Sequence, residues 1–275
     1  MATALAIVRR LARRWALNGA AAVALGYILM PLIFVIWLAF FRQEIPSFPP
    51  EGYSLKWFAA ILDQHKFVDG FRNSIQVGVL ATLIGLALGV PAALCLSRFQ
   101  FKLRTPLANL LLMPLIVPGV VLGTAMYVFH VELENGLDMD VLGTFYALVA
   151  GHIVIVIPWV VRLVTASLAG VDRATEEAAQ NLGANSWVTF WRITLPTIRP
   201  GIVAGALFGF VTSFGNLEMS LFLVGPGRTT LPIVILQYLE WKIDPTIAAV
   251  SVVQILLIGI SMLITDRYVK LSRVV

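Results

Sequence analysis

Charge is scarce in this chain: 13% of its 275 residues are Asp, Glu, Lys or Arg, about half the share in a soluble domain, while 59% are hydrophobic. That balance excludes an ordinary soluble globule. Cysteine is nearly absent. Cys95 lies in an apolar run without a second thiol, which excludes a disulfide framework or a cysteine metal site and reads as an inert buried thiol. Of the three histidines, His65 and His130 have no partner at a ligand spacing. His152, beside Gly151 and among Ile and Val, reads as a hydrogen-bonding residue in preference to a proton relay. The phosphate-binding pattern G-x-x-x-x-G-K-[ST] is missing, so nothing argues that the chain itself binds ATP. The net charge of +5 does not point to nucleic acid, because the basic residues are scattered between apolar runs.

What is present is a series of long apolar runs. A hydrocarbon core about 30 Å thick needs roughly 20 apolar residues in helix. Six runs meet or approach that length, near 19–41, 73–97, 106–130, 141–164, 201–224 and 246–265. The first follows Arg9, Arg10, Arg13 and Arg14, but it is too long for a signal peptide and lacks a clear cleavage site, so it reads as a retained span. Pro114 and Pro118, followed by Gly119, in span three and Pro158 in span four break the helix pattern, the prolines by removing backbone hydrogen bonds, which predicts kinks, lining a pathway or merely packing the bundle. The segment 42–72 is broken by Pro46, Pro49, Pro50 and Gly52, and its residues from Leu55 to Leu62 suit a short interfacial helix.

Orientation follows from basic residues, which cytoplasmic segments hold in excess. With the N-terminus inside, 14 of the 20 Lys and Arg face the cytoplasm, including Arg98, Lys102, Arg104, Arg162, Arg173, Arg192, Arg199, Arg267, Lys270 and Arg273. The loop 131–140 has four acidic residues and no basic one, as an outer loop would. Both termini and the connection 165–200 are therefore expected in the cytoplasm.

That connection carries helix punctuation. Asp172 suits an N-cap, Glu176 and Glu177 sit where a helix dipole favours negative charge, and Gly183 stands where the chain would turn left-handed. Asn185 or Ser186 can cap a second helix with Trp187, Phe190 and Trp191, which Pro196 should stop. Ala174, Ala178 and Leu182 line one face of the first helix, and the aromatic residues are expected to anchor the elbow on the bundle. Taken alone, such a segment could be an amphipathic connector on the headgroups.

Its wording is more specific. Glu177-Ala178-Ala179, then Gly183 six residues after the glutamate, then Ile193-x-Leu195-Pro196 ten residues further, closely resembles the cytoplasmic EAA loop of permease subunits of ATP-binding-cassette importers. Arg72-Asn73-Ser74-Ile75, Gly151-His152, Ser213-Phe214 through Ser220-Leu221-Phe222, Gly225-Pro226, Thr230-Leu231-Pro232 and Asp244-Pro245-Thr246-Ile247-Ala248-Ala249 are similar to the polyamine and opine-like, spermidine/putrescine branch.

The resemblance implies an all-α membrane protein of six transmembrane helices, a five-helix type I importer permease core plus one N-terminal helix. It gives an N-terminal tail, first span and outer segment over 1–72, a core over 73–265 with its coupling loop at 165–200, and a cytoplasmic tail over 266–275. It implies a multi-pass inner-membrane subunit, surrounded by lipid, that is not itself an enzyme. Glu177, Ala178, Ala179, Gly183, Ile193, Leu195 and Pro196 would form the ATPase-coupling loop. Two ATPase subunits would supply ATP and magnesium, a second and different permease chain would complete the pathway, and a periplasmic or external solute-binding protein would deliver cargo. The cargo implied is a small organic solute of polyamine type. One departure matters: where many members of the branch have an acidic residue after Ser-Phe of span five, this chain has Gly215-Asn216, with Glu218 further on. Glu218 reads as the one carboxylate inside a span; with Ser213 and Asn216 it either lines the path of a cationic solute or bonds across a permease interface. An ion-coupled carrier or channel is the rival reading, against which the spans hold few ionisable residues. A membrane enzyme would need a reactive constellation that the sequence does not present.

Overall fold

The computed structural model describes residues 2–268, with side chains from 14 to 267. The side chains of Arg9, Arg10 and Arg13, and all of Lys270 and Arg273, on which the orientation partly rests, lie outside the described residues. In chain order the helices are α1 (Ala2–Leu38), α2 (Lys56–Asp63), α3 (His65–Arg98), α4 (Arg104–Leu112), α5 (Gly119–Leu137), α6 (Phe145–Ala169), α7 (Arg173–Asn181), α8 (Ser186–Thr189), α9 (Leu195–Phe214), α10 (Glu218–Leu223), α11 (Leu231–Trp241) and α12 (Thr246–Tyr268). A 3₁₀ turn, Met113–Leu115, follows α4, and a π turn, Phe190–Thr194, joins α8 to α9. Among the described residues there is no β-strand, only an isolated bridge between Phe41 and Tyr53.

Among the described residues, five helices are long and apolar enough to cross a membrane: Arg14–Leu38, His65–Arg98, Phe145–Ala169, Ser186–Phe214 and Thr246–Arg267. A sixth crossing exists only if Arg104–Leu115 and Gly119–Leu137, bent by 108°, count as one. The expected straight third span, 106–130, is thus two helices. Pro114 and Pro118 cannot donate backbone bonds, so the chain leaves the α-helix at Met113 and re-enters it at Gly119. Pro158, by contrast, is buried inside an unbroken α6. The expected outer loop 131–140 is also shorter, since α5 runs to Leu137 and its left-handed cap Asp138. There Glu134 Oε1 accepts from Val141 and Leu142 N–H at 2.7 and 2.6 Å, so part of the acidic charge secures the turn. Cys95 is exposed on α3, not buried, because the helix turns other residues inward at that level.

Contacts divide the chain into two units, Met1–Asp63 with Trp241–Ile255, and Gln64–Glu240 with Leu256–Val275. In the first, α1 exposes its side chains from residue 14 to 34, as an apolar helix in lipid would. After it the backbone doubles back: Arg42 N–H donates to Gly52 O and Ser54 N–H to Phe40 O. Trp57 Nε1, from α2, donates to Phe41 O at 2.6 Å and is buried there. The proline-rich segment is therefore a knot closed by its own indole.

The second unit is built on α3, α6 and α9. Val156 and Val160, one turn apart on α6, each meet a glycine on either side. A Cβ at Gly85 of α3 would lie 2.6 Å from Val156 Cγ1, and one at Gly209 of α9 would lie 2.8 Å from the same atom. Gly89 of α3 and Gly205 of α9 repeat the arrangement at Val160, at 2.7 Å from Cγ1 and 3.1 Å from Cα. The order of the pairs makes α3 parallel to α6 and α9 antiparallel. Such spacing of glycines four apart lets backbones approach in lipid, where apolar surface alone gives helices no reason to associate.

The sequence reading did not identify α11. Its Thr230-Leu231-Pro232 start is docked on the beginning of α3, where Ser74 Oγ accepts from Leu231 N–H at 2.8 Å and Asn73 Nδ2 donates to Thr229 O at 3.0 Å. The Asn73-Ser74 pair thus serves as the polar receptacle for a loop more than 150 residues away in sequence.

Gly85→Ala should destabilise the protein by about 1–3 kcal/mol, the usual range for overpacking a close contact. Val156→Ala in the same chain removes the obstructing Cγ1 and should restore most of the loss. Gly205→Ala meets the backbone of Val160 and should not be rescued by Val160→Ala. Thermal unfolding in detergent, single variants against doubles, checks both statements.

Candidate functional site

The connection between α6 and α9 forms two short helices at an elbow. Asp172 caps α7, its side chain accepting from Ala174 N–H at 2.9 Å. At the other end Gly183 has φ +91, a conformation that only glycine adopts without strain. Gly183 N–H donates to Gln180 O and Ala184 N–H to Ala179 O, closing the carbonyls that the helix leaves open. A Cβ at Gly183 would meet nothing within 4 Å, so glycine is required there by dihedral angle and not by crowding. Asn185 caps α8, accepting from Val188 N–H at 2.8 Å.

Pro196 does not stop the second helix. The chain passes from α8 into the π turn, where Leu195 N–H reaches back to Phe190 O, and continues as α9 with Pro196 in its first turn. The wider turn accommodates a residue with no N–H, and the result is one apolar helix from Ser186 to Phe214. The expected fifth span, 201–224, is therefore displaced toward the N-terminus. Two of the three aromatic residues do not anchor the elbow: Trp187 and Trp191 are 69% and 50% exposed, while Phe190 is half-buried. Thr189 and Thr194 hold the buried positions instead.

Two adjacent glutamates of α7 part company. Glu177 is exposed, together with Ala174, Ala178 and Leu182, so the whole outer face of the helix is open. Glu176 turns inward, and its Oε1 accepts from Arg98 Nη2 at 2.5 Å and from Thr194 Oγ1 at 2.6 Å. Ala179, Ile193 and Leu195 are half-buried, and Pro196 and Gly183 exposed. Sequence reasoning overlooked this inward carboxylate and both its donors. Glu176 beside Glu177 was the visible signal, but nothing local points to Arg98.

At the other end of α9 the helix breaks at Gly215. Ser213 is buried, and its hydroxyl lies 2.7 Å from His152 Nδ1, while His152 Nε2 lies 3.2 Å from Ser220 Oγ. One imidazole therefore joins both sides of the break. Asn216 Oδ1 accepts from Met219 N–H at 2.8 Å, capping the short α10. Glu218 does not lie in the long helix; it opens α10 and is exposed. Its carboxylate sits over Gly119, at the N-terminus of α5, so close that a Cβ there would overlap it. A carboxylate is favourable at that helix end. Gly123, one turn on, faces the Phe222 ring in the same way. The structure thus brings the break before α5 and the break before α10 together, with Glu218 between them, and places Ser213 in the packing behind them.

Comparison with known proteins agrees with this architecture. The family of binding-protein-dependent transport system inner membrane components matches residues 81–273. The putrescine transport system permease protein PotI of Escherichia coli (strain K12) is 29% identical over 210 residues, covering 76% of this chain and 75% of that protein. The spermidine/putrescine transport system permease protein PotC of the same strain is 24% identical over 244 residues, 89% of each. Among solved structures, a chain of a bacterial ABC transporter involved in the import of the acidic polysaccharide alginate superposes with a TM-score of 0.74 at 18% identity, covering 95% of this chain and 98% of that one. With its helical spans and its family match over most of its length, the chain belongs to the binding-protein-dependent inner membrane components and is a permease subunit of an ABC importer.

Proposed function

We propose that this permease takes a small organic cation of the polyamine class across the inner membrane and draws its energy from two ATPase subunits docked on the α7–α8 elbow. The observation that carries the reading is the open face of α7. Glu177 and Ala178 point outward on a rigidly capped helix whose only flexible-looking position, Gly183, is fixed by two hydrogen bonds at its turn. A polar, capped helix with its outer face open is a surface that a partner protein can read, and its match to the EAA wording favours this over a connector lying on the headgroups. ATP and magnesium belong to those partners, a second and different permease completes the pathway, and a periplasmic solute-binding protein delivers cargo. Nucleotide and loaded binding protein then bias one equilibrium between inward-open and outward-open states. Polyamine permeases among the relatives support the solute class.

Within the pathway, Glu218 and Asn216 stand at the meeting of two helix breaks, and the carboxylate supplies the charge a cation would seek. Ser213 contributes indirectly, by holding His152.

Gly183→Asp forces a side chain into a left-handed turn, at a cost of roughly 1–2 kcal/mol, and puts charge on the docking face. It should reach the membrane but lose ATPase co-purification or the stimulation of ATP hydrolysis by loaded binding protein; wild-type stimulation would refute the docking site. With both termini and the elbow cytoplasmic, a cysteine at Met139 in a Cys95-free chain should react with an impermeant thiol reagent added outside, and one at Asn185 should not. The opposite pattern would reverse the topology. Glu218→Gln keeps the shape and removes the charge, and should cut uptake of a labelled diamine about tenfold, in line with the loss of one charged hydrogen bond, while basal ATPase activity stays. Undiminished diamine uptake would leave Glu218 a purely structural residue lying over the start of α5.

A further inference from the structure

The inward glutamate of α7 is placed to do more than hold a loop. Its side chain is 14% exposed and that of Arg98 20%, so the ion pair is largely withdrawn from water. Arg98 is the last residue of α3, and Thr194, 5% exposed, is the last of the π turn that leads into α9. A single oxygen, Glu176 Oε1, therefore ties the elbow to the ends of two core helices. A weaker second tie runs from Arg173 Nη2 to Ser97 O at 3.4 Å. Along the chain α7 is joined to its neighbours by short connections, Gly170 to Asp172 on one side and Leu182 to Asn185 on the other, and it also packs against α8 and the π turn. Glu177 cannot stand in for Glu176, because the next residue of a helix points about 100° away.

A withdrawn carboxylate without a partner is costly, so its geometry is held stiffly. The π turn at which Thr194 sits is the opposite, a wide turn of the kind that marks functional positions in helices. We infer that Glu176 is a positioning residue for energy coupling: it locks α7 to α3 and to the π turn, so that a displacement of the exposed α7 face is delivered to α3 and α9 and not absorbed in the short connections. The inference rests on the elbow being the ATPase dock. It assigns the two glutamates separate tasks, Glu177 toward the partner and Glu176 toward the bundle.

The test uses the complete transporter, with a Cys95-free chain carrying spin labels at Gln180 on α7 and Lys102 just beyond α3, both exposed. In the wild type the distance distribution should be narrow and the same in nucleotide-free and ATP-vanadate-trapped states. In Glu176→Ala it should broaden and shift between them. Glu176→Gln, which keeps an acceptor for Thr194, should give an intermediate width, and the exchanged pair Arg98→Glu with Glu176→Arg should narrow the distribution again. A Glu176→Ala distribution as narrow and nucleotide-independent as the wild type overturns the inference, and so does failure of both Glu176 variants to assemble, which would make the residue structural. The docking reading is scored separately by Gly183→Asp. If that variant keeps its ATPase subunits and their stimulation, the dock is wrong whatever the spin labels show.

Discussion

The close approach of α3, α6 and α9 around Val156 and Val160 is the constraint from which the rest of this subunit follows. In lipid, burying an apolar side chain against another gains little over leaving it against acyl chains, so helices associate through packing and hydrogen bonds. Glycines at 85, 89, 205 and 209 remove the side chains that would hold three backbones apart, and the valines fill the space. A fixed triple of helices results, and the polar connections hang from its ends. Asn73 and Ser74 receive the α11 loop at one end, and Arg98 and Thr194 receive the elbow at the other.

A second constraint shapes the breaks. Backbone groups freed from a helix inside an apolar environment must find partners. The interruptions use different devices: a 3₁₀ turn before α5, an asparagine side chain at α10, a π turn before Pro196. His152 adds a cross-link over the α9–α10 break through Ser213 and Ser220. The breaks are therefore ordered features of the fold.

The elbow was legible in the sequence because its determinants are local. An Asp cap, an Asn cap and a glycine at a left-handed turn act within four residues of where they stand, and all three appear where their spacing placed them. Five of the six spans were legible for a similar reason, since length and apolarity need no partner, whereas the third is a pair of helices bent by 108°. What was hidden depends on residues far apart. Pro196 looks like a stop until the π turn is seen to absorb it, and Cys95 looks buried because its neighbours are apolar, although in a lipid-facing helix apolarity does not distinguish inside from outside. Trp187 and Trp191 misled by the same rule: large rings suit an exposed interfacial surface as well as a packed one.

The partition of Glu176 from Glu177 shows how the two constraints meet. The connection between α6 and α9 must keep a polar face toward water, yet be firmly attached to helices whose interior tolerates almost no charge. Two neighbouring glutamates on one helix meet both demands, because one turns to water and the other to a guanidinium at the end of α3. Charge is kept at the rim of the triple, where Arg98 still has some contact with solvent and the desolvation cost is smaller than it would be within the span. The scarcity of charge in the composition and the charged groups at the elbow thus follow one rule: charge stays at the rim, and the core of α3, α6 and α9 between the rims is apolar and glycine-packed.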